Sequence, residues 1–356
     1  MGGRRLTFSD SENFTCNICG AICKRPTEAP GREVPSCPKC ESTVRLRSLI
    51  ALLSREIFGI ELALPDFPVL KGVRGFGMSD PPELAERLAE KFDYTNTFYH
   101  QEPRLDIANS FPEQLAEHIG RYDFILSSEV LEHVSTPVER AFVNLNKLLK
   151  PDGLLLITVP YRLDGRTIEH FPDLYQYSLA APGGRVVLVN RRRDGAIEVF
   201  ENLSFHGGDG STLEMRSFSE ESLKETLAAA GFSNTRIACE DFAEFGILHD
   251  EAWSLPMVGR KGSFRPPAAE IARAYGDAIR KSEALERELD ERTKWALALR
   301  KEKETALADF QRASAQDEEA ARHIQHLEKN LAEARAARAK IESSFWARLG
   351  RKLGAI

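Results

Sequence analysis

Two short apolar runs and the segment between them constrain the fold of this chain more than any other feature. Residues 123–127 (DFILS) and 154–159 (LLLITV) are apolar nearly throughout, which is typical of strands that are buried on both faces of a sheet. Residues 137–149 between them space apolar side chains as a helix does, and Pro151 and Gly153 end that segment. Strand, helix and strand in this order predict two parallel strands joined by a crossover helix.

The same alternation of strand-like and helix-like patterns extends over residues 68–261. It predicts further strands at 69–75, 95–100, 104–107 and 235–239, and helices at 81–92 and 220–230. Gly75 and Gly77 are expected to form a turn after the first of these strands. We therefore predict an α/β fold with a doubly wound, Rossmann-like sheet in a domain at residues 61–263.

Most cysteines lie close together near the start of the chain. Two CxxC pairs, separated by 17 residues, are formed by Cys16, Cys19, Cys37 and Cys40. Two such turns can present four thiolates in the tetrahedral arrangement that structural Zn²⁺ prefers. Residues 1–60 are therefore predicted to be a zinc ribbon followed by a connecting helix. Cys23 is a further thiol that could replace Cys19 or could simply pack.

Residues 264–356 differ in composition from the rest of the chain. Between 268 and 345 the segment is rich in Ala, Glu, Arg, Lys and Leu, contains no Pro, and spaces its apolar side chains by threes and fours. This pattern predicts a coiled coil that joins copies of the chain into a homo-oligomer, and a long solvated helix is the alternative. The closing residues 345–356 are basic and amphipathic, and could contact an anionic membrane or a partner enzyme.

Charge and apolar content bear on the compartment. The formal net charge of -6 argues neither for nucleic acid nor for a membrane surface. The first residues lack the apolar stretch of a secretory signal, and no apolar run is long enough to span a bilayer. Clustered CxxC pairs favour metal over disulfides. We expect a cytoplasmic protein whose tail could place it at the periphery of the inner membrane.

Three consecutive segments carry a resemblance to a known family: SSEVLEHV at residues 127–134, a helix that ends in LLKPDG, and a strand that ends in VPY. Together they are similar to class I S-adenosylmethionine-dependent methyltransferases of the type 11 group. The resemblance covers about residues 68–261. It implies a Rossmann-like domain that binds S-adenosylmethionine and transfers its methyl group.

The resemblance also implies where the cofactor would bind. Gly75 and Gly77 would stand in the glycine-rich loop that follows the first strand. Asp106 would lie beside the adenine, and Ser128 and Glu129 would line the pocket after the fourth strand.

The sequence departs from the family at two of these positions. The glycine-rich loop is reduced to GFGMSD, at residues 75–80. The carboxylate that binds the ribose is expected at the end of the second strand, but residues 97–99 contain none. Glu102 or His100 would have to replace it.

Glu129, Glu132 and His133 form a possible cation site. At spacings of i, i+3 and i+4 they would share one face of a helix, where two carboxylates and an imidazole could hold a divalent cation. The alternative is that Glu132 and His133 only orient the loop beneath the cofactor.

Three histidines are candidates for the catalytic base, because a neutral imidazole can accept the proton of a hydroxyl group. They are His133, His170 and His206. The last two fall in a stretch after residue 160 that we interpret as irregular and expect to select the acceptor. Either of them could instead only form hydrogen bonds within a loop.

The activity we predict is O-methyl transfer to a sugar hydroxyl in surface-polysaccharide synthesis. The helical tail and its closing stretch loosely resemble bacterial proteins of that process, and this resemblance alone suggests the sugar. A cysteine-rich start also resembles ribosomal-RNA methyltransferases, which is one alternative. The other alternative is a non-catalytic scaffold that keeps a degenerate methyltransferase domain and acts through the coiled coil.

Overall fold

The structure is a computed structural model that describes residues 13–24, 31–108, 115–206, 212–263, 268–343, 349 and 351. The chain divides into two compact units, Met1–Ala278 and Ile279–Ile356. The glycine-rich loop at 207–210 and most of the amphipathic tail at 345–356 lie outside the described residues, so the expectations for them stay predictions.

A small hairpin and one helix open the described chain. The hairpin pairs β1 (Asn13–Thr15) with β2 (Ile22–Lys24), and the helix is α1 (Val44–Phe58). The side chain of Thr43 accepts a hydrogen bond from Leu46 N at the start of α1, and Gly59 ends the helix with a φ of 77°. Thus the predicted connecting helix is present.

The remaining elements of the first unit follow in chain order. They are β3 (Leu70–Met78), α2 (Pro82–Lys91), β4 (Phe92–Thr97), β5 (Tyr122–Ser128), α3 (Glu139–Leu148), β6 (Leu149–Thr158), β7 (Tyr161–Arg162), β8 (Ile168–Glu169), β9 (Gln176–Ala180), β10 (Val187–Arg191), β11 (Ile197–Phe200), β12 (Phe205–His206), β13 (Thr212–Leu213), β14 (Arg216–Ser219), α4 (Glu220–Ala229), β15 (Asn234–Ile237) and β16 (Met257–Arg260). Short 3₁₀ turns lie at Leu64–Asp66, Leu131–His133, Pro182–Gly184 and Ala243–Phe245.

A six-stranded sheet in the order β15-β16-β6-β5-β3-β4 forms the centre of this unit. The strands β6, β5, β3 and β4 are parallel, whereas β16 and β15 run antiparallel. The predicted α/β fold is confirmed, with a mixed sheet. The strand at 257–260 was not predicted, because four residues carry too little pattern to distinguish a strand from a loop.

Helices cover both faces of the sheet, because successive side chains of a strand point to opposite sides. Phe124 and Leu126 of β5 belong to the core that α1 and α2 also enter. Ile125, between them, belongs to the core formed with α3 and α4. Since α1 shares its core with the sheet, the segment that follows the cysteines is anchored to the sheet domain.

Two of the elements predicted from the sequence, a turn and a strand, are not formed in the structure. The chain does not turn at Gly75 and Gly77, because β3 continues to Met78. Residues 104–107 form no strand, and only an isolated bridge joins Phe98 and Arg104.

The stretch after residue 160 is not irregular as predicted. β9, β10 and β11 form an antiparallel three-stranded sheet, β12 pairs with β13, and β14 pairs with β7 and β8 in a second three-stranded sheet. A separate small core of Phe171, Leu188, Leu213 and Met215 supports this insert. Its strands are short. β9 is exposed throughout and β11 has no buried residue, so neither strand shows the alternation of buried and exposed residues that would reveal it.

A single long helix, α5 (Ala268–Ser343), follows the sheet. Its 76 residues extend about 110 Å at the rise of an α-helix. Many of its large apolar side chains are exposed, among them Ile279, Leu285, Leu289, Trp295, Leu297, Leu299, Leu307, Phe310, Ile324, Leu327 and Leu331. The helix is confirmed, and its assembly into a coiled coil stays a prediction. Among the described residues, no helix is both long and apolar enough to cross a membrane.

Candidate functional site

A cavity of about 430 Å³ lies where the parallel strands β3, β4 and β5 end. It is lined by residues at and just after the ends of these strands, including Met78 and Ser79, Thr97 to His100, and Glu129. β3 lies between β4 and β5, so the chain connections diverge on either side of it. Sheets of this type bind ligands at such a point, and the volume suits a small molecule.

Two residues at the rim of this cavity have strained backbones. Ser79 has a φ of 59° and Glu129 a φ of 55°, a left-handed conformation that residues with a side chain seldom adopt. Each directly follows a strand, β3 or β5. Strain of this kind persists where the surroundings hold it, and it is concentrated at functional sites.

Gly75 and Gly77 do not line the cavity, although we predicted that they would approach the cofactor. A Cβ atom on Gly77 would lie 2.0 Å from Asp80 Oδ2 and 2.2 Å from the hydroxyl of Tyr94. A Cβ on Gly75 would lie 2.3 Å from the ring of Phe124. The two glycines therefore make room for aromatic side chains within the sheet, and the residues of this segment that line the cavity are Met78 and Ser79.

Side chains of β4 hold the loop after Met78 in place. Tyr94 donates a hydrogen bond to Asp80 Oδ2. Asn96 accepts a hydrogen bond from Asp80 N at 3.2 Å and donates one to Asp80 O at 3.0 Å. Burial raises the pKa of Asp80 to about 6, against the opposing effect of the Tyr94 hydrogen bond. The shape of the loop thus depends on a buried carboxyl group that the sequence pattern did not indicate.

The cysteine-rich segment contacts the residues predicted to line the pocket after β5. Nη2 of Arg32 lies 2.7 Å from Glu129 Oε1, and Arg32 Nε donates to Ser254 O at 2.9 Å. Arg45 donates a hydrogen bond to Ser128 Oγ. Ser128 is consequently engaged outside the cavity, whereas Glu129 lines it. Neither arginine could be predicted, because Arg32 and Glu129 are 97 residues apart in sequence.

Of the other residues predicted to bind the cofactor, some line the cavity and one does not. Asp106 and His100 both line the cavity, and Asp106 Oδ1 accepts a hydrogen bond from Ala108 N at 3.0 Å. Glu102 is exposed, accepts a hydrogen bond from Arg104 N, and does not line the cavity. Of the two substitutes considered for the ribose carboxylate, only His100 is at the site.

Histidine and glutamate side chains meet at one wall of the cavity. His133 and His206 both line it, and their ring centroids are 4.7 Å apart. Glu214 Oε2 lies 3.4 Å from His206 Nε2. His170 lies behind this wall, with its Nε2 4.0 Å from Glu214 Oε1, and does not line the cavity. Two of the three predicted histidines are therefore positioned to contact a ligand.

The predicted trio of Glu129, Glu132 and His133 does not share a helix face. Residues Leu131–His133 form a single 3₁₀ turn, and Glu129 precedes it with its carboxylate bound to Arg32. Instead, side-chain ligand atoms of Glu132, His133 and His206 all lie within 4.8 Å of one another. His206 is distant in sequence, so local spacing could not identify it.

The environment shifts the acidity of two of these groups. Burial, and then the nearby Glu129, raise the pKa of Glu132 well above its usual range. Burial lowers the pKa of His133, so its imidazole is neutral at neutral pH. Nδ1 of His133 lies 2.9 Å from Leu213 O, which can only accept a hydrogen bond. Nδ1 therefore carries the proton, and Nε2 is the basic nitrogen.

The four predicted zinc ligands also come together. Their Sγ atoms lie within 4.8 Å of one another, with Cys16 and Cys40 at 3.7 Å and Cys19 and Cys37 at 3.6 Å. Zinc–sulfur bonds of about 2.3 Å in a tetrahedron separate sulfur atoms by about 3.8 Å, so the spacing fits zinc. The hydrogen bond from Cys40 lowers the pKa of Cys16, which favours a thiolate. Cys23 lies beside this group, with its Sγ 3.7 Å from Cys37 Sγ, and is not one of the four whose sulfur atoms are all within 4.8 Å of one another.

Comparison with known proteins gives one family match. Residues 69–237 match the model of a family described as a methyltransferase domain. No curated protein matches the sequence.

Solved structures resemble the fold at low sequence identity. A 1,6-didemethyltoxoflavin-N1-methyltransferase from Burkholderia thailandensis, solved with S-adenosylhomocysteine, is 15% identical; the match covers 60% of this chain and 78% of that one, with a TM-score of 0.33. An amino pentose methyltransferase from Micromonospora echinaspora, solved with S-adenosylmethionine, is 14% identical; the match covers 62% and 92%, with a TM-score of 0.32. At these identities and TM-scores, the likeness does not indicate the substrate of this chain. The family match therefore shows that residues 69–237 are similar to methyltransferase domains.

Proposed function

We propose that the cavity at the ends of β3, β4 and β5 binds S-adenosylmethionine, and that the chain transfers its methyl group to a hydroxyl oxygen. The observation that supports this most is that His133 and His206, two members of the cluster with Glu132, line the same cavity. Residues 78–79, His100, Asp106 and Glu129 would hold the cofactor. S-adenosylmethionine supplies a methyl group bound to a positively charged sulfur, which an oxygen nucleophile can displace in line.

The residues of this chain would align the acceptor and promote loss of its proton. Tyr177 and Leu179 of the insert line the cavity together with His133 and His206, so the acceptor would enter between the insert and the sheet. A neutral imidazole of this pair can accept the hydroxyl proton as the new bond forms. Glu214 beside His206 would stabilise the resulting imidazolium. Positioning of the two reactants would contribute much of the rate enhancement.

We also propose that Cys16, Cys19, Cys37 and Cys40 hold one structural zinc ion. Four thiolates leave no open position, so this ion would not take part in the reaction. Its place in the molecule nevertheless matters, because Arg32 lies in the loop between the two CxxC pairs. Binding of zinc would therefore order the segment that reaches Glu129.

The acceptor we favour is a sugar hydroxyl in surface-polysaccharide synthesis, which rests on the loose resemblance of the helical tail. An RNA acceptor would need free cations near the cavity. In the described part of the cysteine-rich segment, Arg32 and Arg45 bind glutamates, and Arg47 is buried. These contacts engage the three arginines, whereas Lys24 and Lys39 of the same segment are exposed, so an RNA acceptor stays the alternative.

Calorimetric titration of the full-length protein with S-adenosylmethionine tests the proposal. We expect one molecule to bind per chain, and methyl transfer to a sugar acceptor to follow with a labelled cofactor. Absence of cofactor binding would contradict the proposal and favour the non-catalytic scaffold.

A further inference from the structure

We propose that Glu132, His133 and His206 form a binding site for one divalent transition-metal ion at the wall of the cavity. One ligand atom of each residue lies within 4.8 Å of those of the other two. Bonds of about 2.0–2.2 Å place two ligands of one ion up to about 4.4 Å apart, so small side-chain rotations would complete the site. The inference rests on the proposed function and specifies how the acceptor is activated.

The environment of Glu132 is an independent reason to expect an ion. Its side chain is 1% exposed, and within the described residues neither carboxylate oxygen has a hydrogen-bond partner. The basic nitrogen of His133 lies 3.7 Å from Glu132 Oε1, beyond hydrogen-bond distance. A buried carboxylate without partners is unfavourable unless it is protonated or bound to a cation. An ion between Glu132 and the two imidazoles would supply the missing partner.

The three proposed ligands are oriented by hydrogen bonds and contacts with neighbouring groups, as ligands in metal sites usually are. Arg216 donates to Leu131 O at 2.7 Å, and Met215 N donates to Glu132 O at 2.8 Å, which fixes the 3₁₀ turn. The contact of His133 Nδ1 with Leu213 O leaves Nε2 as its ligand atom. Ligand histidines commonly bond a carbonyl or a carboxylate in this way, and Glu214 lies beside His206.

The chemistry of the ligands selects the ion. Two imidazoles and one carboxylate suit Mn²⁺, Fe²⁺, Co²⁺ or Zn²⁺, whereas Mg²⁺ and Ca²⁺ prefer oxygen ligands alone. Three protein ligands leave at least one coordination position open. Because His133 and His206 line the cavity, that position would be accessible from it.

An ion there would change the role of the two histidines from bases to ligands. It would bind the acceptor hydroxyl and lower its pKa, so that the O–H bond breaks and the proton passes to water. The oxygen then forms a bond to the methyl carbon, the carbon–sulfur bond breaks, and its electron pair stays on sulfur. The products are a methyl ether and S-adenosylhomocysteine.

Titration of the full-length, zinc-loaded protein with Co²⁺ tests the site. We expect one Co²⁺ per chain with visible absorption of nitrogen and oxygen ligands and without thiolate charge transfer, which separates it from the cysteine site. His206→Ala and Glu132→Gln should weaken this binding at least tenfold. His206 is 41% exposed, so its variant should fold even where Glu132→Gln does not. His170→Ala is the matched control, because His170 contacts the same Glu214 without belonging to the cluster.

Absence of Co²⁺ binding at this site would overturn the inference and leave Glu132 as a buried neutral acid. Equal Co²⁺ affinity in the wild type and in His206→Ala would overturn it too. Parallel calorimetry with S-adenosylmethionine separates failure of the metal site from failure of the proposed function. Cofactor binding without Co²⁺ binding contradicts the metal site alone, and loss of cofactor binding contradicts the proposed function.

Discussion

Arg32 and Glu129 form an ion pair at 2.7 Å that joins the cysteine-rich segment to the rim of the cavity. Both side chains are largely buried, at 18% and 17% exposure, so solvent screens the pair only partly. Glu129 has a strained backbone, and Arg32 also bonds Ser254 O, another residue with a positive φ. The pair thus supports a conformation at the cavity that the local chain would not adopt alone.

Replacing Arg32 should therefore weaken cofactor binding. Arg32→Ala leaves the carboxylate of Glu129 without its partner, which destabilises the folded state by about 1–3 kcal/mol. The backbone at the rim of the cavity is then no longer held in its strained conformation. We expect the affinity for S-adenosylmethionine to fall about tenfold, as measured by calorimetry. Arg55→Ala is the matched control, because Arg55 pairs with Glu61 and Glu240 instead. Equal affinities for both variants would contradict a role for Arg32 at the cavity.

Loss of zinc should affect both stability and cofactor binding. Cys37→Ser removes one of four thiolates, so elemental analysis should find less than one zinc per chain and the melting temperature should fall. The affinity for S-adenosylmethionine should fall as well, since the loop that carries Arg32 loses one anchor. Cys239→Ser is the control, because Cys239 is exposed and lies outside the cluster. A metal-free wild type with unchanged melting would argue against the zinc site.

Substitution of Gly77 should disrupt the loop after β3 from inside the sheet. Gly77→Ala places a Cβ atom against Asp80 Oδ2 and the Tyr94 hydroxyl, an overpacking that costs about 1–3 kcal/mol. We expect lower stability in urea and weaker binding of S-adenosylmethionine. The double variant Gly77→Ala, Tyr94→Phe removes one of the two clashing atoms and should recover part of the stability. If it recovers none, the loss has another cause than this contact.

The stability of the protein should depend on Asp80 in a defined pH range. Its pKa of about 6 exceeds the ordinary 3.8, so the folded state binds the proton more tightly than the unfolded state. The tighter binding of this proton stabilises the folded state. The stabilisation is complete below about pH 4 and is lost as the pH rises through about 6, a change of about 3 kcal/mol in the free energy of unfolding. Asp80→Asn cannot lose a proton, so the free-energy difference between variant and wild type should grow from about pH 4 to about pH 7. A constant difference in urea unfolding would show that Asp80 does not titrate there.

The exposed apolar side chains of α5 should cause self-association. Burial of a leucine contributes about 1.5–3 kcal/mol, so several of them outweigh the cost of ordering a helix that is already formed. Light scattering should show a dimer or trimer for the full chain and a monomer for a chain that ends at Gly262. Leu289→Asp with Leu299→Asp should weaken the assembly, and Thr293→Asp with Gln311→Asp, which add the same charge at polar positions, should not. A monomeric full chain at micromolar concentration would refute the coiled coil.

Local patterns in the sequence were sufficient for the main elements of the fold. The apolar runs at 123–127 and 154–159 became β5 and β6, and the helices after Pro82 and at 220–229 formed as expected. The CxxC spacing placed four cysteines together, because each pair forms a tight turn by itself. Burial and periodicity are properties of neighbouring residues, so a single chain reveals them directly.

Contacts between distant parts of the chain decided the site. The space around Gly77 is filled by Tyr94 and Asp80, which no pattern in the GFGMSD segment indicates. Arg32 binds Glu129, which is 97 residues away in sequence. His206 lies beside Glu132 and His133, which are more than 70 residues before it. Such pairings follow from the order of strands in the sheet and from the packing of the insert against it, because only the folded chain brings the ends of β3 and β5 to one cavity.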